Sequence, residues 1–288
     1  QFPIIYHFQK NKGPAVARNR GVSLAQGNLV FFTDADCVPD PDWLEKMALP
    51  FSKSKVAAVQ GVYRTEQKSL VARFAQIEFA ERYAMLEKRD SIDMIATYSA
   101  GFRKAVFLAQ GGFDTRFPKA DNEDTEFSYR MAEQGFMMVF APQAVIRHLD
   151  HPHSVGQYFR LKFGRGFWRM MVYRIFPGKM IKDTYTPQSL KFQIISLFGM
   201  GMSLFLLLFT PLLGFLSLLC SLLFFLVQSI PFTLAAFRQD RIVGVFALFL
   251  LALRGLSIGS GELWGLIRMK IGPDVFAQKG NSELRKTK

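Results

Sequence analysis

Cysteine is nearly absent from this sequence of 288 residues, with only 2. That excludes a small disulfide scaffold. Cys37 follows two aspartates and Cys220 sits in an apolar run, so they read as separate thiols, which suits a reducing compartment. Charge is scarce as well: 20% of residues are charged against 50% hydrophobic, which excludes an intrinsically disordered chain. No internal repeat, low-complexity tract or nucleic-acid motif is visible. Acidic residues are few, 23 against 36 Lys and Arg, leaving a net charge of +13. Such a surplus suits nucleic acid, an anionic membrane surface or a phosphorylated small molecule, and its location must decide among them. The length fits one large domain or two ordinary ones. The first residue is Gln rather than Met, and Ile4 to Phe8 already reads as a buried strand. A domain opening in mid-sheet reads as a piece of a longer protein.

Charge is missing altogether from Phe192 to Phe237. One helix of that length would run about 69 Å, against a hydrocarbon core of about 30 Å. Two spans joined by a turn at Thr210, Pro211 and Gly214 are therefore expected. The segment from Ile242 to Ile267 is interrupted by Arg254 and Glu262 and carries Gly255, Gly259, Gly261 and Gly265. It reads either as a third span facing protein or as a re-entrant or interfacial helix. Ahead of the first span lie Arg160, Lys162, Arg165, Arg169, Arg174, Lys179, Lys182 and Lys191, opposed only by Asp183. The positive-inside rule then puts the preceding domain in the cytoplasm, at an inner or plasma membrane. The basic character reads as membrane-surface binding, not nucleic-acid binding. The tail from Arg268 is also basic, which favours an even number of crossings.

The first half alternates strands and helices. Strands are expected at Leu29 to Thr33, Val56 to Tyr63, Phe136 to Phe140 and Ala144 to His148. Helices are expected at Pro14 to Gln26, Asp42 to Phe51 and Ser69 to Arg89, where Leu70, Phe74, Ile77, Ala80 and Ala84 keep helical spacing. This alternation predicts an α/β domain with a mostly parallel sheet. The expected organisation is residues 1–155 as that domain, 156–190 as basic interfacial helices, 191–267 as transmembrane helices and 268–288 as a basic tail.

Four places could carry chemistry. Asp34 and Asp36 follow a buried strand, where open α/β sheets bind ligands. They suit Mg2+ or Mn2+ holding a diphosphate, or merely shape a turn. Glu123 and Asp124 open an amphipathic helix, where acidic residues often serve the cap and dipole. His148 ends a strand and is either structural or a metal ligand. Gln157, Arg160 and Arg165 lie in an aromatic, basic stretch that reads equally as a headgroup-level helix.

The order of these pieces resembles a family-2 glycosyltransferase. Asn11 to Gly21 followed by Phe31-Phe32-Thr33-Asp34-Ala35-Asp36 looks like the middle of that domain. Gly111-Gly112-Phe113-Asp114, then Glu123-Asp124 and Arg130, and a strand ending in His148 look like its second half. The likeness covers about residues 3 to 166. It implies a GT-A, Rossmann-like nucleotide-sugar domain whose first strands, with the base-binding Asp, lie upstream. It implies Asp34 and Asp36 on the donor's ribose, diphosphate and metal, with Arg18 and Gly101 beside the donor. Asp124 matches the general base, with Glu123 in support, and His148 completes the metal or phosphate contacts. Gln157 and Arg160 resemble a degenerate Gln-x-x-Arg-Trp motif in which Leu161 replaces Trp, favouring single additions over polymer synthesis. The expected protein is thus an inverting, metal-dependent transferase. It would move a sugar from a nucleotide-diphosphate sugar to a lipid or glycan acceptor in the bilayer, in cell-envelope glycan or glycolipid synthesis. A non-catalytic, membrane-anchored sugar- or lipid-binding subunit is the alternative.

Overall fold

A computed structural model describes residues 4–271. The chain begins with an irregular segment and then helix α1 (Pro14–Leu24), strands β1 (Leu29–Thr33) and β2 (Cys37–Pro39), and helix α2 (Trp43–Ala48), which runs on into a 3-10 turn. Next come β3 (Val56–Arg64), α3 (Leu70–Leu86), β4 (Ser99–Arg103), α4 (Lys104–Ala109), α5 (Glu123–Glu133) and β5 (Met137–His148). From Val155 to Ile271 the elements are all helices: α6 (Val155–Ile175) and α7 (Pro177–Ile181) lead into α8 (Gln188–Leu206), α9 (Pro211–Gln239) and α10 (Arg241–Ile271).

Local chemistry sets the helix starts. Pro14 occupies the first turn of α1, where its missing N–H costs nothing. The Ser69 hydroxyl accepts from the Ala72 N–H at 3.2 Å to start α3, and Ser154 accepts from Gln157 at 3.3 Å to start α6.

The sheet runs β1-β4-β3-β5-β2. It is mixed rather than mostly parallel: β3–β5 is parallel, whereas β1–β4, β3–β4 and β2–β5 are antiparallel. Alternation predicts parallel strands only when each helix packs back along the sheet. Here the first half of α3 leaves it, burying Val71, Phe74, Ala75 and Ile77 against Phe232 of α9 and Val243 and Ala247 of α10. Two other expectations change. Ile4 to Phe8 forms no strand, because no strand among the described residues pairs with it, and its side chains are exposed. The two strands expected between 136 and 148 are one, β5, with a register shift opposite Gln60 to Val62. Pro142 sits in that irregularity, where its missing N–H breaks no ladder bond. Beneath the sheet, Phe102, Phe107, Phe113 and Phe127 meet mostly edge to face.

The apolar run turns where expected, between Leu206 and Pro211. Three helices, α8, α9 and α10, are long and apolar enough to cross a membrane. They differ in packing: 17% of the apolar window of α9 is buried but 50% of that of α10, so α10 is the inner helix. Its glycines make close approach possible. A Cβ at Gly261 would lie 2.1 Å from the Phe163 carbonyl of α6, and one at Gly259 would lie 2.5 Å from the Phe198 ring of α8. The start of α10 lies against α3 and its C-terminal part against α6. Asp240, just before it, takes a bidentate bond from Arg73 of α3 at 2.5 and 2.6 Å, and Gly265 near its other end meets Phe167 and Met170 of α6. Residues 272–288 of the basic tail lie outside the described residues.

One buried carboxylate ties these layers together. Glu78 of α3 accepts from Tyr158 at 2.8 Å, Lys162 at 3.0 Å and Arg254 at 3.4 Å. Arg254 also donates to Gln193 of α8 at 2.9 Å, and Gln193 to Ser229 of α9 at 3.2 Å. Burial pushes the Glu78 carboxyl up, but Lys162 and Arg254 outweigh it and hold it at about 2. Glu78→Gln is expected to cost about 3–5 kcal/mol, because two buried cations lose their counter-ion. Thermal unfolding of the detergent-solubilised chain measures this, and an unchanged midpoint would remove Glu78 as the tie between the layers.

Candidate active site

The carboxyl end of β1, the start of α5 and the end of β5 converge on one cavity of about 540 Å³. Arg18 of α1 joins the first two. Its Nη2 donates to Asp34 at 3.0 Å and its Nη1 to Glu123 at 2.5 Å. Glu123 also accepts from the Asp121 N–H at 2.7 Å, across the left-handed Asn122 (φ 68). Asp124 is aimed by backbone donors, with Thr97 N–H at 3.2 Å on one oxygen and Thr125 N–H at 2.8 Å on the other. On the far side, β2 pairs with β5 so that Cys37 lies opposite His148. This register brings His148 Nε2 within 3.7 Å of Asp36 Oδ2. Asp36, Cys37 and His148 offer donor atoms all within 4.8 Å of one another. One carboxylate and one imidazole form a borderline donor set that suits Mn2+ and also Mg2+ with water completing the shell.

Electrostatics separate the acids into roles. Burial and the neighbouring Asp124 charge push Glu123 up to about 7, with Arg18 pulling the other way. Burial likewise raises Asp124 against the pull of Arg18. Asp121 rises to about 6 by burial, partly offset by Arg165. Raised carboxyls near a cavity are candidates for proton acceptors that work near neutral pH. His151 stacks on His148 with centroids 4.7 Å apart. Burial and His148 push it down to about 3, so it stays neutral.

Of the residues singled out in the sequence, Asp34, Asp36, Arg18, Glu123, Asp124, His148 and Arg165 reach this cavity. Gly101 does not. It lies within β4, opposite Phe31, and a Cβ there would sit 2.8 Å from that ring, so its role is packing in the sheet. Gln157 and Arg160 do not either. Gln157 accepts from the His153 N–H at 2.9 Å at the exposed start of α6, and Arg160 lines a separate groove with Phe159, Phe163 and Leu253. Helical geometry explains this: positions 157 and 160 share a face that points away from the face carrying Arg165 and Arg169. Arg82 and Tyr185 also line the cavity and carried no local signal in the sequence, and so do Arg169 and Lys191, which read there only as part of the basic stretch. They come from α3, α6, α8 and a connecting loop, and only packing assembles them.

The family profile described as glycosyltransferase like family 2 matches residues 4–166. A pre-mycofactocin glycosyltransferase of Mycobacterium tuberculosis is 28% identical over 51% of this chain and 32% of its own length. A poly-beta-1,6-N-acetyl-D-glucosamine synthase of Staphylococcus aureus is 26% identical over 59% of this chain and 39% of its own. The chain thus spans about a third of the length of the curated relatives it matches. A mannosyltransferase from Pyrobaculum calidifontis, solved with GDP-Man and Mn2+, superposes with a TM-score of 0.51 at 17% identity, covering 89% of this chain and 67% of that one. This likeness shows a GT-A fold.

Because Glu123 and Asp121 bind protons more tightly folded than unfolded, their contribution to stability is complete at low pH. It is lost as pH rises through about 6 and 7. With a chelator present, the unfolding midpoint should fall across that window, and Glu123→Gln should flatten the fall. A midpoint that rises there would reverse the sign assigned to these acids.

Proposed function

The chain belongs to the glycosyltransferase like family 2, and on that footing we propose that it is a membrane-bound, inverting, metal-dependent glycosyltransferase. It moves one sugar at a time from a nucleotide-diphosphate sugar to a hydroxyl or phosphate of an acceptor held at the membrane, in building cell-envelope glycans or glycolipids. The observation that carries this reading is the convergence of Asp34, Asp36 and His148 with Glu123 and Asp124 on one cavity. A non-catalytic binding protein needs no such pairing of a metal-type donor set with buried acids of raised pKa.

Asp36 and His148 would hold a divalent ion, Mg2+ or Mn2+, which would supply charge neutralisation for the leaving diphosphate. Asp34, fixed by Arg18, orients the donor. Asp124, on the opposite wall, accepts the proton from an acceptor hydroxyl as its oxygen attacks the anomeric carbon. The bond to the diphosphate breaks on the other side, and the configuration inverts. Glu123 keeps Arg18 and the α5 start in register, so Asp124 stays aimed at the reacting oxygen. Developing positive charge on the sugar is stabilised by the surrounding carboxylates.

The chain sits in a plasma or inner membrane with the sheet domain on the cytoplasmic side, by the basic stretch from Arg160 to Lys191. The α8–α9 hairpin enters the bilayer and returns. The contact of the start of α10 with α3 and its packing along α6 support its lying along the membrane surface rather than crossing.

Asp124→Asn is expected to lower transfer about 10²- to 10⁴-fold while leaving Mn2+ binding intact. Asp36→Ala and His148→Ala should weaken Mn2+ binding itself. The first is read as nucleoside diphosphate released from a panel of UDP- and GDP-sugars with native membranes as acceptor source. The second is read as free Mn2+ by electron paramagnetic resonance. Full turnover in Asp124→Asn removes it as the base, and unaltered Mn2+ binding in both other variants removes the metal site.

A further inference from the structure

Cys37 has no part in the reaction described above, yet it lies beside the site. β2 and β5 run antiparallel with Cys37 directly opposite His148. Residues opposite one another in such a pair project to the same face of the sheet, with Cβ atoms about 4.5–5.5 Å apart. The thiol and the imidazole therefore share one side of the sheet. Two backbone bonds fix this corner: the Cys37 N–H donates to the Asp34 carbonyl at 3.1 Å, and the Leu149 N–H to the Asp36 carbonyl at 2.8 Å. Asp36 and His148 line the cavity, and Cys37, partly exposed, is adjacent to both.

The Asp36 carboxylate stands between the other two donors. Cys37 Sγ is 3.8 Å from Asp36 Oδ1, and His148 Nε2 is 3.7 Å from Asp36 Oδ2. Donor atoms around a tetrahedral zinc ion, with Zn–S and Zn–N lengths of about 2.3 and 2.1 Å, lie about 3.5 Å from one another. Two of the three separations are close to that spacing, and all three donors lie within 4.8 Å. The set is one oxygen, one nitrogen and one sulfur. Mg2+ takes oxygen donors in an octahedral shell and gains nothing from a thiol. A thiophilic ion binds the sulfur as thiolate, and the thiol proton passes to solvent. Three protein donors with a fourth position open is also an arrangement in which zinc takes a water or substrate oxygen.

We propose that Cys37 is a third metal donor, which with Asp36 and His148 completes a site for a thiophilic divalent ion of the zinc class, in competition with the Mg2+ or Mn2+ of the transfer reaction. The inference rests on the metal role proposed for Asp36 and His148 and adds selectivity to it. A thiol next to the second aspartate makes occupancy of the site depend on the ratio of thiophilic to hard ions, so zinc displaces the working ion.

Zinc outranks Mn2+ at most oxygen and nitrogen sites, so the test isolates what the thiol adds. Co2+, a probe for zinc, is titrated into the full chain in dodecyl maltoside, where a near-ultraviolet thiolate-to-cobalt charge-transfer band is expected. The band should persist in Cys220→Ser and vanish in Cys37→Ser. Zn2+ is then used to displace bound Mn2+, read as free Mn2+ by electron paramagnetic resonance. Cys37→Ser should bind Mn2+ as the unmodified protein does, which also shows that the variant is folded, and should need at least about tenfold more Zn2+ to release it. A missing band, a band that survives in Cys37→Ser or depends on Cys220, or an equal Zn2+ requirement in the two proteins overturns the proposal. Loss of Mn2+ binding in Cys37→Ser does so too, because the residue then serves both kinds of ion alike. A missing band in a protein whose Mn2+ binding still depends on Asp36 and His148 overturns this inference alone and leaves the transferase reading in place.

Discussion

A charge buried in a low-dielectric interior must be matched or it destabilises what surrounds it. Glu78 is 2% exposed and is matched from two other elements, by Tyr158 and Lys162 of α6 and Arg254 of α10. None of these partners is near it in sequence. The sheet domain therefore cannot complete its own α3 without the helices that follow, and Arg254 cannot be accommodated in an apolar helix without the sheet domain. The cavity lies between the layers that this contact holds together, so its shape depends on the same few atoms.

A second constraint of the same kind operates at the site. Arg18 lies between Asp34 and Glu123, two carboxylates that belong to different elements. Its one positive charge cannot neutralise Glu123, Asp124 and Asp34 at once, and burial leaves Glu123 and Asp124 with raised proton affinity. The sharing is unequal: Glu123 is bound by Arg18, whereas Asp124 is held by the backbone N–H groups of Thr97 and Thr125.

Glycine links the two layers sterically. Gly166 of α6 and Gly261 of α10 each face the other helix's backbone so closely that any side chain would displace it. This contact sets the distance between α6 and α10, and with it the spacing of Arg169 on one wall from Glu262 on the other. In the sequence these glycines look like weak points in an apolar segment. In the fold they are points of tightest contact.

Much was legible from the sequence alone, for a physical reason: periodicity, caps and charge runs act over a few residues. The positions of β1, β3, α1 and α3, the turn near Thr210, the apolar hairpin and the acids that end β1 and open α5 all follow from local pattern, as did the likeness to glycosyltransferases. What depended on long-range pairing was not legible. The direction of the strands, the single strand β5, the in-sheet role of Gly101, and the outward direction of Gln157 and Arg160 were decided by which surfaces met. The cations that extend the cavity lie on α6 and α8, and Arg82 comes from α3. They become neighbours only when the two buried cation–carboxylate contacts to Glu78 and a glycine seam close the helices onto the sheet, because no local energy term relates residues so far apart in the chain.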